Sequence, residues 1–420
     1  MIFNFSTCMP TLRKAHRLMI LGFLGVAGCS SKTPEDPLAG ITIVGNDPTD
    51  IALAKATDDQ AKRFHEGDAR FDAIFREADG LGPLYIRQAC GSCHKAAARG
   101  PGAVQKMALV EADGITPLPD QSGLPNGHTA RPFMTAGAMT SIEPPDEPDV
   151  KLSSRLGPAV FGRGYLEAVE DAEIVRLESE QASRDDGIHG RINRVTYHSK
   201  PNPDQPYHAF SEGQTNIIGR FGFKARISTL DEFTADAFQS DMGLTTPLRP
   251  VELSNPDGLA DDMKPGVDVD LATVNVVADY MRLLEIPERD LPTGRGQDLF
   301  AEMRCSVCHA PSLKTSSSYP LAALAGINAE VFTDFLLHDM GDALADGLAE
   351  ESATSRTWKT APLIGVRHLK GFLHDGRAKT VEMAVLAHEG PGSEANDSIA
   401  RFRALSLQDR NALLAFVEAL

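Results

Sequence analysis

The chain has 420 residues, enough for two or three domains with buried cores. Its charged fraction of 24% and hydrophobic fraction of 42% are those of an ordinary globular protein. The formal net charge of −17 argues against nucleic acid and against anionic membrane surfaces as binding partners.

The N-terminus predicts an export segment that is removed from the mature protein. Three basic residues precede a short apolar run, residues 18–26, which is too short to span a membrane. The run ends in Val-Ala-Gly before Cys29, which resembles the bacterial lipobox. We therefore expect 1–28 to be a lipoprotein signal peptide and Cys29 to be lipidated, the alternative being an ordinary secretory signal. Ser30 replaces the aspartate that retains lipoproteins at the inner membrane, so the resemblance implies an outer-membrane lipoprotein facing the periplasm.

We expect residues 29–60 to form a flexible tether between the lipid and the folded domain. Pro, Gly, Asp, Ser and Thr are frequent there, and the apolar residues show no helical or strand periodicity. From Ile51 to about Glu77 the pattern becomes helical, with apolar anchors at Phe64, Phe71 and Phe75.

The stretch Cys90-Gly91-Ser92-Cys93-His94 is the c-type haem attachment pattern, and Cys305-Ser306-Val307-Cys308-His309 repeats it. Two thiols must reach two vinyl groups of one porphyrin, and the adjoining imidazole must reach the iron. One helical turn brings such positions to one side. The alternative, a redox or zinc Cys-x-x-Cys, would require two accidental matches among six cysteines. We predict two covalently bound haem c groups, attached at Cys90, Cys93, Cys305 and Cys308 and ligated by His94 and His309.

The remaining elements are mainly helices and loops. Residues 100–150 are loop-like, and helices are predicted around 165–178, 231–242, 268–284 and 409–420. An apolar-aromatic pair ending in Tyr85 or Phe300 lies five residues before the first cysteine of each motif, which indicates an internal repeat. The predicted fold is mostly α, with two cytochrome c-like haem domains, long loops and an insertion between them. The N-terminal haem domain is assigned to 61–285 and the C-terminal one to 286–420.

Several further stretches are similar to a known family. They are Asp186-Gly187, Gly190-Arg191, 219–225, 336–341, 360–363 and 372–377. This set resembles the bacterial di-haem oxidoreductases, described as peroxidases or "thiol oxidoreductases", within the di-haem cytochrome c peroxidase superfamily. The resemblance extends over roughly residues 70–420. It implies a peroxidase-type oxidoreductase, and many members of the superfamily hold a calcium ion that this sequence does not locate.

The resemblance also bears on the ligand opposite His309. In di-haem peroxidases a His-Asp-Gly motif precedes a helix that delivers a distal methionine to the electron-transfer haem. Counting on from His374 reaches His388 instead of methionine. This departure implies a bis-histidine C-terminal haem of lowered potential. His388 as a helix cap is the alternative, and Met340 and His338 are fallback ligands.

For the N-terminal haem, the resemblance implies a reactive site with a distal acid. The matching segment, 161–168, contains Glu167, our candidate for the group that moves a proton between peroxide oxygens. Its alternative role is that of a surface acid or salt-bridge partner. We expect Trp358, the only tryptophan, to pack beside the C-terminal haem and do not assign it a relay function.

Three functional hypotheses follow. The first is a periplasmic di-haem enzyme that takes peroxide or another small oxidant and exchanges electrons with a periplasmic donor or acceptor protein. The second is an electron carrier without catalysis, which requires His189, His198 or His208 to complete the N-terminal iron site. The third is a haem-dependent oxygenase. In each case the membrane contact is made only by the lipid anchor, and no nucleic acid is bound.

Overall fold

The structure is a computed structural model that describes residues 47–97, 100–260, 265–291 and 294–420. The predicted signal peptide 1–28 and Cys29 lie outside the described residues and remain predictions. No helix in the described part of the chain combines the length and the apolar character that crossing a bilayer requires.

The described residues form ten α-helices and ten short strands. The helices are α1 (Asp58–Phe71), α2 (Arg163–Ala168), α3 (Asp171–Ala182), α4 (Leu230–Met242), α5 (Leu271–Leu283), α6 (Arg295–Glu302), α7 (Cys305–Cys308), α8 (Val381–Leu386), α9 (Asn396–Ala404) and α10 (Leu407–Ala419). The strands are β1 (Leu84–Tyr85), β2 (Ala103–Leu109), β3 (Phe133–Met134), β4 (Val150–Leu156), β5 (Arg194–Val195), β6 (Ile217–Ile218), β7 (Leu313–Lys314), β8 (Asn328–Ala329), β9 (Leu337–Asp339) and β10 (Thr357–Lys359). They pair in antiparallel fashion as β1–β3, β2–β4, β5–β6, β7–β8 and β9–β10.

The fold is therefore mixed rather than mostly α. The clearest departure is the seven-residue ladder of β2 with β4, inside and beside the stretch predicted to be loop. Its buried positions include Ser153 and Arg155. Because polar side chains point inward, the strands lack the apolar alternation that marks a half-buried strand. The paired positions of the two strands also lie roughly 40 to 55 residues apart in the sequence, so no local pattern shows the pairing.

Two helix pairs have the same construction. A β-carbon on Gly67 of α1 would lie 2.4 Å from the carbonyl oxygen of Val276 in α5. A β-carbon on Gly296 of α6 would likewise lie 2.4 Å from the carbonyl oxygen of Ala412 in α10. In both pairs only glycine allows the helix backbones to approach so closely.

Side-chain caps define the starts of three of these helices. At the start of α1 the Thr57 hydroxyl accepts a hydrogen bond from the backbone N–H of Gln60. The Gln60 side chain accepts one from the backbone N–H of Thr57 in return, which completes a capping box. Asp270 caps α5 and Ser406 caps α10 in the same way. Each haem-binding motif follows the first helix of a pair.

The core has a large and a small part. The main apolar cluster draws residues from 53 to 364, and a second cluster is built from α6, α8, α9 and α10 with Phe332 and Val366. All described residues belong to one compact unit, Asn46–Leu420. The boundaries predicted for the two domains, 61–285 and 286–420, stay predictions.

Candidate functional site

His94 is held in the orientation and tautomer of an iron ligand. The N–H groups of Cys93 and His94 both bond the carbonyl of Cys90 at 3.0 Å, so the motif closes one tight turn. Nδ1 of His94 lies 2.6 Å from the carbonyl oxygen of Pro158. Because a carbonyl can only accept, Nδ1 carries the proton and Nε2 keeps its lone pair for a metal. Burial lowers the pKa of His94 to about 4, so the ring is neutral.

His309 has the same arrangement. It directly follows α7, and its backbone N–H bonds the carbonyl of Cys305 at 2.9 Å. Nδ1 lies 3.2 Å from the carbonyl oxygen of Phe332, which again leaves Nε2 as the ligand atom. Burial lowers the pKa of His309 to about 4, and the nearby His388 lowers it further.

An aromatic ring packs near each of these histidines. The Phe71 ring centroid is 6.1 Å from that of His94, and Phe300 is 6.5 Å from His309, both with an interplanar angle of 53°. Each phenylalanine lies four residues after the close-approach glycine of its helix. Tyr85, which has the same spacing to its motif as Phe300, stacks on Phe133 at 5.8 Å, so the structural counterpart of Phe300 is Phe71.

The first motif opens into a cavity that Cys90, Cys93 and His94 line together. Apolar side chains, among them Phe71 and Phe233, line the same cavity, as a planar apolar group requires. Residues of β2 and β4 line the cavity, and so do residues of α4. Its charged lining residues are Arg87, Lys106, Arg155, Arg226, Asp236 and Asp241.

The four motif cysteines are free and partly buried. Burial raises the pKa of Cys90 to about 12 and that of Cys93 to about 11. Burial also raises the pKa of Cys305 to about 12 and that of Cys308. With no group bound to them, burial therefore keeps the four sulfurs neutral, which is also their state in a thioether.

His388 lies just after α8, and, as in His94 and His309, its Nε2 is the ring nitrogen that is left available to a metal. Its Nδ1 lies 2.7 Å from the carbonyl oxygen of Ala384, which fixes the proton on Nδ1. Burial lowers the pKa of His388. Its influence on the pKa of His309 shows that the two rings lie within electrostatic reach of each other.

The comparison with known families decides the identity. Residues 134–420, about two thirds of the chain, match the family model described as "Di-haem oxidoreductase, putative peroxidase". The chain belongs to the di-haem oxidoreductase family. Haem is thus the cofactor of this di-haem oxidoreductase. The matched range contains the second motif, whereas Cys90–His94 precedes it.

No curated protein sequence matches this di-haem oxidoreductase. Among solved structures it is similar to hydrazine synthase of Kuenenia stuttgartiensis, pressurised with 20 bar xenon. The identity is 12% over 86% of this chain and 88% of that chain, with a TM-score of 0.39. So distant a likeness says nothing about activity.

Asp241, at the end of α4, is a functional candidate that sequence reasoning missed. It lines the cavity together with Cys90 and His94. Burial raises its pKa to about 6, while Lys106 opposes the shift. Ser240 donates to its Oδ1 at 3.1 Å. The sequence feature that could have indicated Asp241 is its place as an acidic residue on the inward side of the amphipathic helix predicted around 231–242.

Glu167, the acid predicted to be catalytic, lies elsewhere in the di-haem oxidoreductase. It is not among the described residues that line the cavity. Its carboxylate accepts from Arg282 at 2.6 and 3.1 Å, from the Tyr319 hydroxyl at 2.8 Å and from the Leu230 N–H at 2.8 Å. These contacts are those of a buried ion-pair partner, so the catalytic role is not supported.

His338, the fallback ligand, has both ring nitrogens occupied. Nε2 lies 2.9 Å from an oxygen of Asp334, and Nδ1 lies 2.8 Å from an oxygen of Glu394. Cys308, Asp334 and His338 place one potential metal-ligand atom each within 4.8 Å of one another. Cys305 is outside this group, which argues against a Cys-x-x-Cys zinc site, and a thiol and an imidazole do not suit calcium.

None of the three histidines from which the carrier hypothesis would take its second ligand lines the cavity, and each contacts another protein group. Nδ1 of His189 lies 3.0 Å from the carbonyl of Gln181, and the exposed His198 pairs with Glu351 at 3.2 Å. Nε2 of His208 lies 2.8 Å from Asp231. Of the described residues lining the cavity, only His94 is a histidine.

Proposed function

We propose that this di-haem oxidoreductase is a peroxidase-like enzyme with two cytochrome c-like units. Each unit consists of a helix pair with one close-approach glycine, a phenylalanine four residues later, and a motif histidine whose Nδ1 bonds a carbonyl. One haem is attached through Cys90 and Cys93, and the other through Cys305 and Cys308. The repeated construction supports this assignment, because two independent accidents would not reproduce the same 53° ring geometry.

The different surroundings of His94 and His309 support different functions for the two haems. His94 borders a cavity lined in part by ionisable side chains, whereas His309 lies near a second neutral imidazole, His388. Two strong axial ligands suit electron transfer, and a position without a second imidazole suits reaction with a small oxidant. We therefore assign peroxide chemistry to the N-terminal haem and electron transfer to the His309–His388 haem.

The protein groups of the cavity supply proton transfer and charge. Haem iron, when bound, provides the centre that binds peroxide and exchanges electrons with it. Asp241 takes the proton from one peroxide oxygen and returns it to the other, which leaves as water or alcohol. Lys106 donates to the Thr129 hydroxyl at 2.6 Å, and within the described residues it has no carboxylate ion-pair partner. It is our candidate for holding a haem carboxylate.

The test is the reaction of purified protein with hydrogen peroxide, followed by visible and electron paramagnetic resonance spectra. We expect one low-spin haem and one haem with a high-spin fraction that peroxide abolishes. Asp241→Asn should slow the peroxide reaction about 10²-fold or more, the usual contribution of a general acid–base group. Asp185→Asn, which changes an exposed acid, is the matched control. A ferric spectrum unchanged by peroxide would overturn the proposal.

The carrier hypothesis retains one specific support. Met242 and Met281 line the cavity with His94, and a thioether sulfur is an accepted axial ligand. In that case resonance spectra would show two low-spin haems and no high-spin fraction. Met242→Ala or Met281→Ala would then generate the high-spin signal.

The location and partners of the protein are part of the proposal. We propose that Cys29 carries lipid and anchors the enzyme to the outer membrane, where a periplasmic protein supplies electrons to the His309–His388 haem. Metabolic labelling with a radioactive fatty acid should mark the wild type and not Cys29→Ala. Labelling of both proteins, or of neither, would contradict the anchor.

A further inference from the structure

Trp358 lies between the two haem-binding motifs. On β10 it pairs with His338 of β9, whose Nδ1 is 3.7 Å from the sulfur of Cys308. On its other side the indole meets Phe223 edge-on, with centroids 6.5 Å apart and an angle of 80°. Phe223 lines the cavity that contains His94. Packing beside the C-terminal motif alone, the sequence prediction, was therefore incomplete.

The two faces of the indole are covered by a cation and a neutral ring. Nζ of Lys224 lies 4.2 Å from the ring centroid, and the His374 ring stacks at 4.1 Å with an angle of 10°. Lys224 is fully buried and pairs with Asp346 at 3.2 Å. Burial lowers its pKa to about 8, so most of the charge remains at neutral pH. His374 is neutral there, because burial lowers its pKa to about 4.

These contacts oppose loss of an electron from the indole. Oxidation would create a positive charge directly beneath the Lys224 ammonium, and the Arg155 guanidinium is 5.8 Å from the same ring. Asp346 and Glu350 balance these cations through direct ion pairs, but the charged group against the ring is the ammonium.

The indole N–H provides the second argument. An oxidised indole becomes a strong acid and persists when a base accepts its proton. Nε1 of Trp358 donates to the backbone carbonyl of Leu344 at 3.1 Å, and a carbonyl is not such a base. With 8% of the side chain exposed, bulk water does not replace it.

We propose that Trp358 bridges the two haem sites as a spacer that stays reduced, because Lys224 covers its ring face and its N–H has no proton acceptor of sufficient strength. This inference rests on the proposed peroxidase function. Two electrons from the donor protein and two protons convert peroxide to water and alcohol, or to two waters. None of those electrons comes from Trp358, so peroxide does not oxidise this side chain.

The test compares wild type with Lys224→Met, which removes the charge, and Lys224→Arg, which keeps it. Each protein is treated with peroxide without donor, digested, and searched by mass spectrometry for oxidised Trp358. Freeze-quenched samples are examined for a tryptophan radical by electron paramagnetic resonance. We expect wild type and Lys224→Arg to show the same low level of oxidised Trp358 and Lys224→Met to show about tenfold more, in line with a desolvated cation–π contact. A tryptophan radical in wild type, or equal oxidation in all three, overturns the inference.

Failure of the proposed function gives a different result. The haem spectra of the same samples report whether peroxide reacts at all. A parallel series with hexachloroiridate(IV), a one-electron outer-sphere oxidant, tests the protection of Trp358 without peroxide chemistry, and the same ranking of variants is expected.

A measurement on the unaltered protein covers the case in which Lys224→Met does not fold. Wild type is treated with hexachloroiridate(IV) at pH 6 and at pH 9.5, on either side of the Lys224 pKa. The ionisable groups that face Lys224 and the indole are Asp346, Glu350, Arg155 and His374. The Arg155 guanidinium lowers the pKa of Glu350 and the two carboxylates raise that of Arg155, while burial lowers the pKa of His374 to about 4, so these three keep their charge states across that interval. More oxidation of Trp358 at pH 9.5 is expected, and equal oxidation contradicts the inference.

Discussion

Gly296 faces the carbonyl of Ala412 so closely that a methyl group could not be inserted between α6 and α10. The same relationship joins Gly67 to Val276 between α1 and α5. In each case the helix carries its phenylalanine onto the ring of a motif histidine. The glycine thus sets how closely the two helices of a pair approach each other. It thereby also sets the position of the phenylalanine beside the proposed haem site.

Replacing either glycine should weaken its own haem unit. Gly296→Ala forces α6 away from α10, and overpacking of this kind costs about 1–3 kcal/mol. Urea unfolding of the haem-loaded protein, followed by the Soret band, measures the loss. Gly137→Ala is the matched control, because a β-carbon there meets nothing within 4 Å. Equal midpoints for the two variants would show that the close approach is not required.

Glu167→Gln should destabilise the protein without slowing the peroxide reaction. Its partner Arg282 is fully buried, and removal of one member of a buried ion pair typically costs about 3–5 kcal/mol. Glu180→Gln, in an exposed pair with Arg176, should change the unfolding free energy by about 0.5 kcal/mol or less. A peroxide rate that falls as far as in Asp241→Asn would restore Glu167 as a catalytic acid.

Substitutions of His388 should change the C-terminal haem alone. His388→Ala removes the second imidazole and should convert that haem to a high-spin form, visible in resonance spectra. His388→Met should raise its midpoint potential, since a thioether favours ferrous iron relative to imidazole. His198→Ala, at a histidine whose side chain is 60% exposed, should leave both haems unchanged. A normal low-spin spectrum in His388→Ala would disprove the bis-histidine assignment.

The peroxide rate should depend on pH through Asp241. Because the carboxylate form is the proton acceptor, the rate should rise with pH up to about 6 and then level off. The charged groups that face Asp241 are Lys106, Asp236 and Arg226, and the sulfur atoms of Cys90 and Cys93, uncharged once haem is attached, are also near. Stopped-flow rates from pH 4.5 to 8 measure the profile. The residual rate of Asp241→Asn should be flat across that range, and an unchanged profile would assign the ionisation to another group.

The parts of the site that depend on covalent spacing were predictable from sequence. Two thiols and an imidazole within five residues must lie close together, and in the structure Nδ1 of each histidine bonds a carbonyl, which leaves Nε2 available as the predicted ligand atom. His388 was found by counting from a motif, and its ring lies within electrostatic reach of His309.

The parts that depend on tertiary packing were not predictable. Asp241 becomes a candidate only because α4 packs across the cavity from β2 and β4, and no local pattern reports that neighbour. Sequence spacing pairs Tyr85 with Phe300, because each lies five residues before its first cysteine, whereas packing pairs Phe71 with Phe300. The segment between α1 and the first motif is longer than the segment between α6 and the second motif. Phe71 therefore lies farther from its cysteine in the sequence than Phe300 does, and a comparison of spacings does not match the two.

The helix pairs also differ in how much chain they enclose. The contact between Gly67 and Val276 joins residues roughly 210 positions apart, and that between Gly296 and Ala412 joins residues roughly 115 apart. Each doubling of a closed loop adds about 0.6 kcal/mol of entropy cost, and non-local contacts form slowly. The C-terminal unit should therefore close before the N-terminal one. Because Gly67 cannot meet its partner before residue 276 has been synthesised, we expect Cys90 and Cys93 to stay outside a closed helix pair, and accessible to haem attachment, until most of the chain exists.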